Sequence, residues 1–292
     1  YAVTALQDID QFPSVADRLR QAIVNQLVLA RLIGHPDGIA ADPELAAPDG
    51  SSSVDTTEVF YEGHSQGGIM GFAATAVSTE WTKAVIGVPG VNYSLLLTRS
   101  NNWQTYGPVI SGGYADPTDV LVVLALLQQQ WDRAEGSGYA RYTLGGLPDT
   151  PDHQVLVEVA AGDTQVANQA ADLAARSAGI PLRVPQVDEG RLPWKTPAFG
   201  FDEVEAGETA ESLVVYWDSG VLGPPLGSLS PDMAPAWQAE CGAEDDSPTC
   251  ADPHEFPRRT PEAQEQRNRF FATGKIDDVC GDGPCMTEPR DG

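Results

Sequence analysis

The sequence predicts an α/β fold in which a mostly parallel sheet is covered by helices on both faces. A short β-rich stretch, residues 58–61 (EVFY), runs into a glycine-rich turn and a helix, and an apolar stretch, residues 83–88 (KAVIGV), follows that helix. Two further stretches of this kind, residues 154–160 (QVLVEVA) and 212–217 (SLVVYW), continue the alternation. Apolar strands separated by helices are typical of parallel sheets that are buried on both faces.

Helical segments lie between and around these strands. The first spans residues 14–33, where apolar residues recur at three- and four-residue spacing and Ser14 and Asp17 are placed as in a capping box. The stretches 35–57 and 179–207 are rich in Pro and Gly and are predicted to be mostly loop. The other predicted helices are residues 69–77, 116–134, 165–177 and 261–273.

Charge and composition exclude several classes of partner. The 292 residues carry a formal charge of −25, and 41% of them are hydrophobic, which is enough for a sizeable core. Such an acidic chain would be repelled by nucleic acid and by an anionic membrane surface. The longest apolar run, residues 120–127, is far shorter than the roughly 18 residues that predict a membrane span.

The four cysteines form two close pairs, Cys241 with Cys250 and Cys280 with Cys285. An even number in local pairs favours disulfides and an oxidising compartment. Zinc is the competing interpretation, but neither pair has the spacing typical of zinc ligands. Acidic residues near the second pair offer oxygen ligands for calcium, but calcium needs six or more oxygens, and no metal site is predicted. These residues are Asp277, Asp278 and Asp282.

The pentapeptide at residues 63–67 (GHSQG) is the strongest chemical signal in the chain. A G-x-S-x-G between an apolar strand and a helix places its serine on a tight turn, and Gly63 and Gly67 avoid Cβ atoms that would clash there. The hydroxyl of Ser65 then projects at a helix N-terminus, where free N–H groups favour developing negative charge. The alternative is an ordinary glycine-rich turn.

A serine becomes a strong nucleophile when a base accepts its proton, and the chain has four histidines. His254 follows the last predicted strand and is the histidine that fits the chain order serine, acid, histidine. His64 is interpreted as structural. His35 and His153 precede strands and are predicted to be surface residues.

Asp163 is the predicted acid that orients the imidazole. It follows the strand at residues 154–160 and therefore lies at the carboxyl end of the sheet. Asp149 and Asp152 precede that strand and Asp172 lies on the next helix, so each is expected to cap a helix or face solvent.

The segments VFYEGHSQGG, KAVIGVPG, LVEVAAGDTQVA and DPHEFPRR resemble the α/β-hydrolase family, and more narrowly its secreted bacterial lipases and esterases. The resemblance covers about residues 59–273. It implies a secreted serine hydrolase, extracellular or periplasmic, that cleaves small-molecule or lipid carboxylic esters through Ser65, His254 and Asp163 and an acyl-enzyme intermediate. It implies no metal or organic cofactor.

The resemblance also implies how the chain is divided. Residues 1–273 would form the catalytic domain, residues 91–151 a helical lid inserted in it, and residues 274–292 a cysteine-clamped tail. The apolar run 120–127 would either contact acyl chains or pack on the sheet. Gln66 would donate its backbone N–H to the oxyanion. Four aromatic residues are candidates for lining a pocket: Trp103, Tyr106, Trp131 and Trp194.

The family places four strands and a second oxyanion donor before the nucleophile, and the residues before Ser65 are too few to hold them. The chain is therefore expected to be the carboxyl-terminal part of a longer hydrolase, or residues 1–10 substitute for the missing segment. Two other functions remain open. One is a serine peptidase or amidase on the same fold, and the other is a binding module that keeps the hydrolase fold without turnover.

Overall fold

The structure is a computed structural model that describes residues 2–114, 116–192, 196, 198–221 and 252–288. The helices are α1 (Ala2–Gln7), α2 (Pro13–Gly34), α3 (Gln66–Ala76), α4 (Tyr93–Arg99), α5 (Trp103–Gly113), α6 (Pro117–Trp131), α7 (Gly136–Tyr139), α8 (Asn168–Ala178), α9 (Phe256–Arg259) and α10 (Pro261–Thr273). The strands are β1 (Tyr61–His64), β2 (Lys83–Gly87), β3 (Gln154–Ala160), β4 (Leu182–Val184), β5 (Glu203–Glu205), β6 (Leu213–Asp218) and β7 (Cys285–Met286).

The strands form one seven-stranded sheet in the order β1-β2-β3-β6-β4-β5, with β7 paired to the end of β6. The paired strands run parallel to one another. The prediction of an α/β fold with a mostly parallel sheet is therefore confirmed. Because parallel strands end at the same edge, the residues that follow β1, β3 and β6 are brought to one side of the molecule.

Alternate residues of each central strand pack on opposite faces of the sheet, as expected for strands that are buried on both sides. On β3, Val155 and Val157 contact the core formed with α2, α3 and α8, whereas Leu156 contacts the core formed with α10. On β6, Tyr216 faces the first core and Trp217 the second. Helices thus cover both faces, as predicted.

A third core contains no residue of the sheet. It is formed by residues that precede β1 together with residues that follow β2. We call the elements that form it the cap: α1, residues 9–19, and α4, α5 and α6. Its centre holds Phe12, Ile110 and Leu127, and the ring of Phe12 packs edge-on against Trp131 at 4.6 Å between centroids. The cap therefore combines the predicted lid segment with the amino-terminal helices.

The apolar run of α6 contacts other helices rather than the sheet. Val123, Leu124 and Leu127 are buried within the cap, while Leu121 and Val122 are exposed. Of the two interpretations of this run, packing on the sheet is wrong, because α4, α5 and the amino-terminal helices supply its apolar partners.

Several element boundaries differ from the predictions. The predicted strand at residues 58–61 begins only at Tyr61, and the predicted loop at 179–207 contains the short strands β4 and β5. The capping box at the start of α2 is wrong: Phe12 precedes the helix without a side-chain cap, and Asp17 pairs with Arg20 at 3.4 Å.

The carboxyl-terminal segment is fastened in two ways. Cys280 and Cys285 form a disulfide, as predicted. Beside it, Asp278 accepts hydrogen bonds from Arg183 Nε at 2.9 Å and Nη2 at 3.0 Å. This buried ion pair joins the carboxyl-terminal segment to β4. Cys241 and Cys250 lie outside the described residues, and so does Trp194.

Residues 2–60, all of which are described, contribute helices and turns but no strand to the sheet. Residues 2–7 form α1 and residues 9–11 form a short helical turn, both within the cap, so these residues supply no strand of the sheet. Among the described residues, no single helix is long and apolar enough to cross a membrane; α5 and α6 pass that test only as a pair bent by 107°.

Candidate active site

Ser65 lies on a sharp turn between β1 and α3. Its backbone has φ +59° and ψ −117°, a conformation that residues other than glycine rarely adopt. The turn is held because the Ser65 N–H donates to the carbonyl of Gly87 on β2 at 3.0 Å. The strained turn projects Oγ beyond the carboxyl end of the sheet.

Close packing under the turn explains two glycines, though not both of the predicted ones. A Cβ on Gly63 would lie 2.5 Å from the carbonyl oxygen of Gly67, so the prediction for Gly63 is confirmed. A Cβ on Gly67 would meet nothing closer than 4.0 Å, so the prediction for that residue is wrong. The crowded position is Gly68, where a Cβ would lie 2.1 Å from the oxygen of Gly87.

The three residues predicted to form a triad, Ser65, His254 and Asp163, lie in one hydrogen-bonded chain. Ser65 Oγ lies 2.8 Å from His254 Nε2, and His254 Nδ1 lies 2.7 Å from Asp163 Oδ2. The Asp163 carboxylate only accepts, so Nδ1 carries the proton and Nε2 is left to accept the proton of the serine hydroxyl. Asp163 and His254 are each only 2% exposed.

Burial and charge set the proton affinities within this chain. Burial lowers the pKa of His254, but the charge and hydrogen bond of Asp163, with smaller contributions from Asp252 and Glu255, raise it above its ordinary value. Burial raises the pKa of Asp163, against the opposing effect of His254. The site therefore strengthens the imidazole as a base.

The loop that follows β3 holds Asp163 in place. Its Oδ1 accepts the backbone N–H groups of Gln165 at 2.8 Å and Val166 at 2.9 Å, which leaves Oδ2 directed at His254. Asn168 braces the same loop, because it accepts from Gly162 N at 2.9 Å and donates to the oxygen of Ala160 at 2.7 Å.

His64 lies against His254 and has a structural contact, as interpreted from the sequence. Its Nε2 donates to the backbone oxygen of His254 at 2.9 Å. Burial, together with the charge of His254, lowers the pKa of His64 to about 3, so its ring is neutral at neutral pH. A Cβ on Gly87 would lie 2.7 Å from this ring, so glycine at that position makes room for it.

Gln66 is the first residue of α3, so its backbone N–H lies at the amino end of the helix beside Ser65. Its side chain accepts a hydrogen bond from the hydroxyl of Tyr93. Tyr93 stacks on Trp131 at 4.9 Å between ring centroids, and its backbone N–H donates to the buried Glu135 at 3.2 Å. The cap is thereby joined to the residue beside the nucleophile.

A pocket of about 340 Å³ lies between the cap and Ser65. Tyr106 and Trp131 line it, as proposed from the sequence, whereas Trp103 is not among its lining residues. The amino-terminal helices also line it, which sequence reasoning missed. The signal for this wall was the apolar face of α2, which holds Val15 and Leu19 and is preceded by Phe12. The other lining residues are Leu6, Gln66, Ile69, Tyr93, Leu96, Leu97, Ser100, Asn102, Gln165 and Val166.

The predicted surroundings of His153 and Asp172, which were not assigned to the site, are wrong. His153 is buried rather than on the surface, and its Nε2 donates to the oxygen of Ser78 at 3.3 Å. Asp172 is buried too, and it accepts a hydrogen bond from the hydroxyl of Tyr216 at 2.6 Å. Neither residue lines the pocket at Ser65, whereas His35 is exposed as predicted.

Two clusters among the described residues have metal-ligand atoms close together. In the first, His64, His254 and Glu255, both ring nitrogens of His254 are already engaged by Ser65 and Asp163. In the second, Asp278 lies next to Cys280 and Cys285, whose sulfurs are bonded to each other. The first arrangement suits proton transfer, and the second is a structural clasp.

Comparison of the chain with models of known protein families, with curated proteins and with solved structures finds no match. The site geometry consists of a hydroxyl, a base that can accept its proton, and a carboxylate that orients the base. Such a chain can activate the hydroxyl for attack on an electrophilic carbon.

Proposed function

We propose that this protein is a serine hydrolase that cleaves carboxylic esters, with Ser65 as nucleophile, His254 as base and Asp163 as the orienting acid. The observation that carries the proposal is the buried chain from Ser65 Oγ through both His254 nitrogens to Asp163 Oδ2, with distances of 2.8 and 2.7 Å. The resemblance of its segments to secreted bacterial lipases and esterases agrees with this chemistry. The disulfide in the carboxyl-terminal segment agrees with the oxidising compartment of such secreted enzymes.

In the proposed reaction, Ser65 Oγ attacks the ester carbonyl carbon while its proton passes to His254 Nε2. The tetrahedral intermediate collapses when the bond to the alcohol oxygen breaks, and that oxygen takes the proton from Nε2. Water then attacks the acyl-serine with His254 again accepting and returning a proton, which releases the carboxylic acid and restores Ser65.

Negative charge on the carbonyl oxygen would be stabilised by the backbone N–H of Gln66. This group lies at the amino end of α3, where the helix dipole favours negative charge. Because the hydroxyl of Tyr93 donates to the Gln66 side chain, the cap fixes the residue that provides this donor.

The shape and chemistry of the pocket favour an ester with a hydrocarbon chain. Leu97, Ile69 and Trp131 are apolar wall residues, and no charged side chain lines the pocket among the described residues. A volume of about 340 Å³ is within the range of pockets that hold small-molecule ligands. We therefore propose esters with short to medium chains over peptide amides, which carry polar groups along their length.

A fluorophosphonate probe tests the proposal directly. We expect the folded chain to be labelled at one site, located by peptide mass spectrometry at Ser65, and Ser65→Ala to remain unlabelled. Phosphonylation requires an activated hydroxyl, because an ordinary serine reacts too slowly to be labelled. Ser78→Ala is the matched control, since Ser78 is a buried serine outside the pocket and its loss should leave labelling intact.

Turnover of p-nitrophenyl esters and of peptide p-nitroanilides then identifies the substrate class. Ester hydrolysis that disappears in Ser65→Ala supports the proposal. Faster cleavage of the anilides would establish a peptidase instead, and an intact folded chain that neither labels nor turns over would establish a protein without this activity.

Val15 offers a test of the pocket as the binding site for the acyl chain. Val15→Phe should fill part of the pocket and lower kcat/KM for an octanoate ester about tenfold, while acetate turnover stays within about twofold. Val28→Phe is the matched control, because Val28 lies on the same helix but is 53% exposed. Equal losses for both esters in Val15→Phe would place the acyl chain elsewhere.

A further inference from the structure

A second carboxylate, Asp252, connects the loops that carry His254 and Asp163. Its Oδ1 accepts the backbone N–H of His254 at 3.2 Å and so caps the short helical turn Pro253–Glu255. The same oxygen lies 3.4 Å from the backbone N of Thr164, and Oδ2 accepts from Gln165 Nε2 at 3.1 Å. Thr164 and Gln165 directly follow Asp163.

We propose that Asp252 is a positioning residue of the Ser65 site. It fixes the loop that carries His254 relative to the loop that carries Asp163, and it places a second negative charge beside the imidazole. This inference rests on the proposed function. Asp252 would not touch substrate. It would act through His254, by fixing its backbone and by stabilising its protonated form during the reaction.

The two carboxylates constrain each other's loops. Asp163 binds the His254 side chain with Oδ2 and its own loop with Oδ1, whereas Asp252 binds the backbone of His254 and the loop of Asp163. Displacement of either loop would therefore break bonds at both carboxylates. Such reciprocal support holds a base within the small tolerance that proton transfer demands.

The connection continues to the loop between α4 and α5. Thr164 accepts the backbone N–H of Asn101 at 2.9 Å through its carbonyl oxygen, and Asn101 Nδ2 lies 3.3 Å from Thr164 Oγ1. Asn101 lies between Ser100 and Asn102, both of which line the pocket. Asp252 thus belongs to a hydrogen-bonded path from the base to the pocket wall.

The charged groups that face His254 make the electrostatic part testable. Three acids face it, Asp163, Asp252 and Glu255, and each raises the pKa of the imidazole against the effect of burial. Glu255 is paired with Arg258 and lies 3.8 Å from Arg259, while His64 is neutral. Among the described contacts, no arginine offsets the charge of Asp252. Apart from Asp163, Asp252 is therefore the acid beside His254 that has no arginine partner.

The test is Asp252→Asn, which keeps an oxygen that can accept from His254 N and Thr164 N but removes the charge. We expect the apparent pKa of the acid limb of kcat/KM to fall by about 0.5 to 1 unit and kcat to fall about tenfold. Asp252→Ala should lose the cap as well and reduce kcat about a hundredfold. Asp149→Asn, at an exposed acid away from the pocket, is the matched control.

An NMR titration of the His254 imidazole in the wild type and in Asp252→Asn separates this inference from the proposed function. If the wild type cleaves esters and Asp252→Asn changes neither the titration nor the pH profile, the inference is overturned and the hydrolase proposal stands. If no ester is cleaved but Asp252→Asn lowers the imidazole pKa by the expected amount, the hydrolase proposal fails and the electrostatic role of Asp252 remains supported. Normal melting of Asp252→Asn would show that the effect is not a loss of folding.

Discussion

Replacement of His254 with alanine is expected to lower kcat for ester hydrolysis by about 10⁴- to 10⁶-fold. The reason is that Ser65 Oγ, 2.8 Å from Nε2, loses the group that would accept its proton in the attack and return it to the departing alcohol. KM should change little, because the apolar pocket wall remains. Steady-state kinetics on a p-nitrophenyl ester would measure the loss.

The double variant Ser65→Ala with His254→Ala makes this prediction sharper. If both residues act in one chain, the double variant should be no slower than either single variant, because the second change removes an interaction that the first has already disabled. His35→Gln, at an exposed histidine, should retain full activity. Independent, multiplying losses would contradict a shared mechanism.

Arg267→Met is expected to destabilise the folded protein by about 3–5 kcal/mol, since it would leave a buried carboxylate without its partner. Arg267 on α10 donates to Glu158 Oε2 at 2.6 Å, and the two side chains are only 6% and 1% exposed. Glu158 lies in β3, so this ion pair joins α10 to the middle of the sheet. Chemical denaturation followed by circular dichroism would measure the change.

The control for this prediction lies on the same helix. Arg269 pairs with Glu265, but both side chains are at least half exposed, so Arg269→Met should cost no more than about 0.5 kcal/mol. Adding Glu158→Leu to Arg267→Met should recover much of the lost stability, because it removes the buried carboxylate that has lost its partner. Equal effects of the two arginine variants would show that the buried ion pair contributes little.

Local sequence signals predicted the strands and helices whose ends are marked by residue type. The strand Gln154–Ala160 and the helix Pro261–Thr273 have the predicted bounds, because an apolar run and a proline-to-glycine span define them. β4 and β5 were missed, since three residues each give no periodic pattern and the pairing of β4 with β6 and of β5 with β4 is a tertiary effect.

The candidate triad could be predicted because local sequence patterns mark the positions of its residues. Ser65 lies in a recognisable turn, and Asp163 and His254 follow strands that all end at one edge of the sheet. The pocket wall could not be predicted, because an apolar helix face such as that of α2 does not specify its partner. Burial of His153 and Asp172 was missed for the same reason: hydrogen bonds to Ser78 and Tyr216 come from distant parts of the chain.

The composition of the cap has a consequence for how the molecule assembles. The backbone N–H of Ile9 binds the hydroxyl of Tyr114 across 105 residues, and Ser65 meets His254 across 189. Contacts between distant segments form late, because loop closure costs entropy before those contacts repay it. The pocket and the hydrogen-bonded chain therefore exist only while segments far apart in the sequence are packed together, so local opening of either the amino-terminal helices or the loop at His254 would remove the proposed chemistry.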